Sequence, residues 1–133
     1  MKRGYQHSFS EMHYDAMHHR EGREKKARTM IAVLRDYFTN DLKNLYVLDI
    51  GSSTGIIDNF LSDHLKELVG IDIDEKAVAF AQQNFKKSNL SFFVDDAMNL
   101  NFNSNTFDVV ICAQIYEHVP DQEKLLSEIF RVL

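Results

Sequence analysis

The chain has 133 residues, of which 44% are apolar and 26% are charged, and its formal net charge is −5. This length suffices for one hydrophobic core but is short for a two-domain enzyme, and the composition is that of a globular domain. No apolar run approaches the roughly 20 residues of a membrane span. Lys2 and Arg3 are not followed by the apolar stretch of a secretory signal. The single cysteine excludes an internal disulfide, and we expect a cytoplasmic protein that makes no membrane contact.

Charge is divided unevenly along the chain. Residues 1–45 contain nine Lys or Arg against six Asp or Glu, whereas residues 46–133 contain six against fourteen. The acidic character of residues 46–133 argues against nucleic acid as a partner, because nucleic-acid binding needs a basic surface. The basic residues 1–45 either complement the charge of the acidic residues 46–133, which we favour, or contact an acidic substrate.

Residues 1–45 are predicted to form an N-terminal arm followed by an amphipathic cap helix. Residues 1–13 show no hydrophobic period and are expected to be a mobile arm, with a helical turn or two between Met12 and His19. From Arg23 to Phe38 the apolar residues follow the i, i+3, i+4 spacing of a helix. They are Ala27, Met30, Ile31, Leu34 and Phe38. This helix packs on a sheet, covers a ligand cleft, or does both.

The stretch Tyr46–Gly55, which reads YVLDIGSSTG, predicts a strand, a tight turn and the start of a helix that extends to about Leu65. Gly51 can adopt backbone angles that are closed to other residues, so the chain can reverse sharply there. Gly55 lets the helix begin close to the strand or to a ligand. The unpaired N–H groups at that helix start favour an anionic or electron-rich group.

Strands and helices then alternate to residue 133. Further strands are predicted over Glu67–Ile71, Leu90–Val94 and Phe107–Ala113, the last of them apolar on both faces apart from Asp108. Asp74 is the expected N-cap of the second helix of this region, and Pro120-Asp121 opens the last helix. The side chains expected to face inward from that last helix are Leu125, Leu126, Ile129 and Phe130. The alternation predicts an α/β fold with a parallel sheet, whose ligands bind at the carboxyl ends of the strands.

The spacing of the glycine turn disfavours a dinucleotide site. That fingerprint needs glycines in a G-x-G-x-x-G frame, and here Ser53 and Ile56 stand at its second and third glycine positions. A nucleotide-dependent oxidoreductase is therefore the weaker reading of this turn.

The stretch VLDIGSSTG resembles the first motif of the class I S-adenosylmethionine-dependent methyltransferases, which usually has glycine at the place of Ser53. Asp96-Ala97 resembles the third motif of this family. Phe107–Asp121 resembles the fourth motif and its sequel, most closely in the branch that methylates small molecules, including quinone precursors. The resemblance covers about residues 45–133, with the motifs in the family's order.

The resemblance implies a Rossmann-like open parallel sheet of about four strands in the order 3-2-1-4, flanked by helices. Residues 46–133 would be a partial cofactor-binding core, because the family's chain runs on into three more strands. We therefore expect either a fragment or a chain whose strand-4 edge is covered by a homodimer partner or another protein.

The implied cofactor is S-adenosyl-L-methionine, with S-adenosyl-L-homocysteine as the product. Nine residues are expected to contact it: Asp49, Gly51, Ser53, Gly55, Asp72, Ile73, Asp96, Ala97 and Gln114. Asp72, at the end of the second strand, would accept both ribose hydroxyls, and Ile73 would lie against the adenine. Asp96 would accept the adenine amino group, although the neighbouring Asp95 is an alternative, and Ala97 would offer its N–H to a ring nitrogen. Gln114 would hold the methionine end.

His118 lies beyond the fourth strand and is the candidate general base, although a structural histidine that orients the loop is the alternative. Cys112 is expected to be a small buried hydrophobe. No metal site is expected, since the adjacent His18 and His19 would point to different sides of a helix. The predicted function is transfer of the sulfonium methyl to an O, N or C nucleophile of a small-molecule acceptor. The alternative is a non-catalytic S-adenosylmethionine-binding module or partner subunit.

Overall fold

A computed structural model of the chain describes residues 4–39 and 41–133, so the first three residues of the predicted arm lie outside the described part. In chain order the elements are α1 (Phe9–Met12), α2 (Tyr14–His18), α3 (Arg20–Phe38), a 3₁₀ turn (Leu42–Asn44), β1 (Tyr46–Ile50), α4 (Ile56–Ser62), β2 (Glu67–Asp72), α5 (Glu75–Asn84), β3 (Leu90–Val94), β4 (Val109–Ile111) and α6 (Gln122–Val132).

The four strands form one parallel sheet in the order β3-β2-β1-β4, which confirms the predicted Rossmann-like order. In the register Ile50 pairs with Ile71, and Asp72 pairs with Val94. The carboxyl ends of β1, β2 and β3 therefore lie side by side at one edge of the sheet. Ligands of open α/β sheets bind at this edge.

Helices cover both faces of the sheet, and each face has its own apolar core. Side chains of α3, α4 and α5 pack on one face together with Val47, whereas α6 and residues 98–107 pack on the other face together with Leu48. Successive side chains of a strand point to opposite faces. Asp49 therefore points to the side of α3 and α4, the same side as Val47.

The fourth strand is shorter than the predicted Phe107–Ala113, because β4 comprises only Val109–Ile111. Phe107 donates its N–H to the carbonyl of Val132 at 2.9 Å, at the end of α6, instead of joining the sheet ladder. The residues of β4 are only half-buried, since within the described part of the chain the strand pairs with β1 alone and forms an edge.

The inward face of α6 was predicted only in part. Leu125 and Val132 are buried and Ile129 packs beside them, whereas Leu126 is 40% exposed and Phe130 is 75% exposed. At about 100° per residue, positions 125, 129 and 132 follow one line along the helix, and positions 126 and 130 follow the adjacent line. The prediction that Leu126 and Phe130 face inward is therefore wrong.

The N-terminal segment departs from the expected aperiodic arm. Phe9–Met12 and Tyr14–His18 are short helices, and Ser10 within the first of them is buried. α3 begins at Arg20, before the predicted start, and buries Ala27, Ile31 and Leu34 as predicted. Within the part of the chain that the structure describes, no helix has both the length and the apolar character that crossing a bilayer requires.

Candidate functional site

A cavity of about 340 Å³ lies at the carboxyl ends of the strands. This volume is in the range of small-ligand pockets. The segment that follows each strand contributes to its wall: Gly51 and Ser53 after β1, Asp72 and Ile73 at β2, Asp95, Asp96 and Ala97 after β3, and Gln114 and His118 after β4. The sheet therefore brings eight of the ten predicted site residues to one cavity.

The glycine turn is a tight left-handed bend. The φ angles of Gly51, Ser53 and Gly55 are 86°, 49° and 79°, in the region that favours glycine. A side chain at Gly51 would collide with Ile115, so the backbone passes close to the loop after β4. Ser53 adopts a glycine-like conformation, and its buried Oγ has no hydrogen-bond partner within the described residues. A ligand atom in the cavity would supply that partner.

Asp72 is held in place by the turn and by the start of α5. Its Oδ2 accepts the Ser53 N–H at 2.8 Å, and its Oδ1 accepts the Asp74 N–H at 2.9 Å. Burial raises the pKa of Asp72, while these N–H bonds oppose that rise. Each carboxylate oxygen retains a lone pair for a further donor, such as a ligand hydroxyl.

The two carboxylates after β3 differ in their partners. Asp95 accepts the backbone N–H of Asn101 at 3.0 Å and the Asn101 side-chain amide at 2.8 Å. These bonds stabilise the loop between residues 95 and 101. Asp96 accepts the Met98 N–H at 2.9 Å with Oδ1 and the Tyr5 hydroxyl at 2.8 Å with Oδ2. Because Tyr5 also lines the cavity, the Asp96 oxygen is within reach of a donor there.

Two of the predicted cofactor contacts, Asp49 and Gly55, are not among the residues that line the cavity. A side chain at Gly55 would lie 2.7 Å from Phe92 and 2.8 Å from Ala81, so this glycine permits close packing of α4 on β3 and α5. Asp49 points to the helix side of the sheet, as the alternation of β1 requires. The structure therefore gives both residues positions behind the cavity wall.

Asp49 belongs to a buried charged cluster with Asp58 of α4 and Arg23 of α3. Asp58 is fully buried, and within the described residues no N–H or O–H group of another residue bonds its carboxyl. Burial raises the pKa of both carboxyls, and that of Asp58 is raised further by the adjacent negative charge of Asp49. The buried site therefore favours the protonated form of Asp58. Sequence reasoning missed Asp58, although an acidic residue among apolar Ile57 and Leu61 is a detectable signal.

The N-terminal segment forms the roof of the cavity, where sequence reasoning expected a mobile arm. Four contacts hold this segment to the rest of the chain. The Tyr5 hydroxyl bonds Asp96, and Gln6 contacts His118 at 3.4 Å. The Ser10 N–H bonds Asp74 at 2.8 Å, and the Met17 carbonyl accepts the Thr54 hydroxyl at 2.6 Å. Nothing in the local sequence signals these contacts, because each joins residues far apart in the chain.

The loop after β4 contributes Gln114 and His118 to the wall. Gln114 has a φ of 59° and accepts the Lys26 ammonium of α3 at 3.4 Å. His118 is half-buried, with the Glu117 carboxylate 3.6 Å from its Nε2 and the ring of Phe9 at 5.9 Å between centroids.

The lining is strongly acidic and suits a cationic ligand that also carries hydroxyl and amino donors. Its carboxylates belong to Asp72, Asp74, Asp95, Asp96 and Glu117. Residues 4–39 and 41–133 contain no group of three His, Cys, Asp or Glu side chains arranged to hold a metal ion. The acidic wall and the unpartnered Ser53 Oγ fit the sulfonium cofactor that the sequence motifs imply.

Comparison with known proteins gives a consistent assignment. A family described as "Methyltransferase domain" matches residues 48–133. The ubiquinone biosynthesis O-methyltransferase of Coxiella burnetii is 28% identical over 65% of this chain and 38% of its own length. The demethylmenaquinone methyltransferase of Lactococcus lactis is 34% identical over 70% and 39%. The solved structure of the PH0226 protein from Pyrococcus horikoshii is 32% identical, with a TM-score of 0.71, over 83% and 52%. This chain spans about two fifths of the length of these curated relatives.

Proposed function

Because this chain belongs to the family of S-adenosylmethionine-dependent methyltransferase domains, we propose that it transfers the methyl group of S-adenosylmethionine to a small-molecule acceptor. The product of the cofactor is S-adenosylhomocysteine. The observation that carries the proposal is the shared cavity of Asp72 and Asp96 at the ends of adjacent strands. Carboxylates placed in this way suit the ribose hydroxyls and the adenine amino group of one adenosyl ligand.

In the proposed complex the residues of this chain chiefly bind and orient. Asp72 accepts the ribose hydroxyls, Asp96 and the Ala97 N–H bind the adenine edge, and Ile73 packs against its face. Gly51, Ser53 and Gln114 surround the methionine end. Asp49 and Gly55 lie behind the cavity wall. Asp49 contributes its negative charge, and Gly55 permits close packing of the elements that form the wall. The cofactor supplies a methyl group that its sulfonium charge has already activated, so alignment and exclusion of water supply most of the catalysis.

The acceptor proposed for this chain is a small ring compound with a nucleophilic oxygen, nitrogen or carbon. Two relatives are named for steps in ubiquinone and menaquinone synthesis, which supports a quinone-like acceptor. The rings of Phe9 and His118 line the cavity and supply a surface for an aromatic ligand.

Calorimetric titration of the whole chain with S-adenosylmethionine, S-adenosylhomocysteine and NAD tests the proposed function. We expect both adenosyl compounds to bind and NAD to give no heat of binding. S-adenosylhomocysteine release in a screen of pooled phenols and quinols would then identify the acceptor class. Binding of NAD alone would overturn the proposal, and cofactor binding without turnover of any pool would favour a non-catalytic binding module.

His118→Gln is expected to lower turnover by about 10²- to 10⁴-fold if His118 removes a proton from the acceptor. Glutamine has a similar reach but cannot accept a proton at neutral pH. Affinity for S-adenosylhomocysteine should change little, since the predicted role concerns the acceptor. Initial rates of S-adenosylhomocysteine release measure the effect, with His64→Gln as the control because His64 lies against Arg35, away from the cavity. Equal rates for the two variants would assign His118 a structural role.

We also propose that a second copy or another protein covers the β4 edge. Among residues 4–39 and 41–133, β4 pairs with β1 only, and Phe130 on the following helix is 75% exposed. An open strand edge and an exposed aromatic side chain each favour association. Sedimentation velocity should show a species heavier than the 15.5 kDa chain, and Phe130→Ser should reduce it. A monomer at all concentrations and in cell extracts would exclude this assembly. The proposed place of action is the cytoplasm, which cell fractionation would test.

A further inference from the structure

Residues 4–19, here called the strap, cross the cavity from one side of the sheet to the other. Their four contacts each reach the segment that follows a different strand: Thr54 after β1, Asp74 after β2, Asp96 after β3 and His118 after β4. The strap therefore touches every strand end at which the proposed ligand binds.

The strap is held firmly in its middle and lightly at its beginning. Ser10 is buried, and its N–H bonds the buried carboxylate of Asp74, which also caps α5. Glu11 pairs with Lys76 at 2.5 Å beside that cap. Tyr5, in contrast, is 48% exposed, and its hydroxyl bond to Asp96 at 2.8 Å joins two side chains at the surface. The beginning of the strap can therefore lift while its middle stays in place.

Asp96 is the point at which the strap and the proposed ligand meet. Its Oδ2 accepts the Tyr5 hydroxyl and retains a further lone pair for the adenine amino group. The bond to this carboxylate raises the pKa of Tyr5, because the negative charge favours the protonated phenol. An adenine against Asp96 would exclude water from the bond, and a hydrogen bond strengthens as the local dielectric falls. By linkage, the bond then strengthens ligand binding in return.

We propose that the Tyr5–Asp96 bond closes the strap over the bound cofactor and sets how fast the cofactor enters and leaves, an inference that rests on the proposed function. The cavity of about 340 Å³ lies beneath the strap in its closed position, so closure leaves room for a ligand instead of displacing it. When the bond breaks, the beginning of the strap lifts from the adenine end of the cavity and the cofactor exchanges with solvent.

Exchange kinetics of tritiated S-adenosylhomocysteine on the whole chain test this role. Tyr5→Phe keeps the ring and removes only the hydroxyl. We expect dissociation to become about 10-fold faster, because a hydrogen bond to a charged acceptor is lost. Association should also become faster, since an open strap admits the ligand, so the affinity falls by a smaller factor. Tyr14→Phe alters an exposed tyrosine of the same strap that does not line the cavity, and should keep both wild-type rates.

The Tyr5–Asp96 bond can also be tested in the free chain by NMR. The Cζ signal of Tyr5, assigned by its loss in Tyr5→Phe, should shift in Asp96→Asn but not in Asp36→Asn, which alters an exposed residue of α3. No shift in Asp96→Asn would overturn the bond itself.

Three kinetic results would overturn the closing role of Tyr5. They are unchanged rates in Tyr5→Phe, faster dissociation with unchanged association, which would make Tyr5 a simple ligand contact, and slower dissociation, which would mean that its hydroxyl competes with the ligand. A wild type that shows the NMR shift but binds no adenosyl compound would overturn the proposed function instead. The two failures are therefore distinguishable.

Discussion

Asp72→Asn is expected to weaken S-adenosylhomocysteine binding by about 100-fold, the largest effect on affinity that we predict for a single cavity residue. Hydrogen bonds to a charged acceptor contribute about 1.5–3 kcal/mol, and Asp72 is proposed to accept two ribose hydroxyls. Asparagine removes the charge and replaces one acceptor oxygen with a donor. Calorimetric titration of wild type and variant measures the change.

The control for Asp72→Asn must separate lost binding from lost structure. Asp72 also accepts the N–H groups of Ser53 and Asp74, so the variant should lose about 1–3 kcal/mol of unfolding free energy. Urea unfolding measures that loss, and titrations are then made where both proteins are folded. Asp36→Asn, at an exposed position of α3, should change neither quantity. An affinity within threefold of the wild type would remove Asp72 from the proposed site.

Asp58→Asn is expected to abolish part of the pH dependence of stability. The folded state raises the pKa of Asp58 by burial, so the folded protein holds a proton that the unfolded chain releases above about pH 4. Wherever the folded state binds more protons, the free energy of unfolding falls as pH rises, here by about 1.4 kcal/mol per pH unit. Asparagine is neutral at every pH and can still donate an N–H to Asp49, so the variant should gain stability relative to the wild type as pH rises.

Urea unfolding at pH 5, 6 and 7 measures this effect as the difference between Asp58→Asn and the wild type. The comparison cancels the groups that do not interact with Asp58, whereas Asp49, whose burial-raised pKa of about 6 also depends on Asp58, contributes to the measured difference. Asp36→Asn removes an exposed carboxyl and should follow the wild-type curve. Parallel curves for Asp58→Asn and the wild type would mean that Asp58 is ionised in the folded protein, contrary to its burial beside Asp49.

The amino-acid sequence by itself determined the parallel sheet and most of the residues that meet at the carboxyl ends of its strands. The strand order, the glycine turn and the N-cap role of Asp74, which accepts the N–H groups of Lys76 and Ala77, agree with the predictions. The glycine turn and the cap depend on residues close together in the chain, where turn chemistry and capping act, whereas the strand order is the one that the family resemblance implied. The meeting of Asp72 and Asp96 in one cavity follows as well, because parallel strands in that order end at one edge.

Tertiary structure alone decided which side chains and segments pack around the carboxyl ends of the strands. The bond from Tyr5 to Asp96 spans 91 positions of sequence, and no local pattern marks either residue for it. The orientation of Asp49 toward Asp58 and Arg23, and the exposure of Phe130, likewise depend on which elements pack against each face. Local propensity cannot specify such contacts, because their free energy arises only when distant segments come together and exclude water.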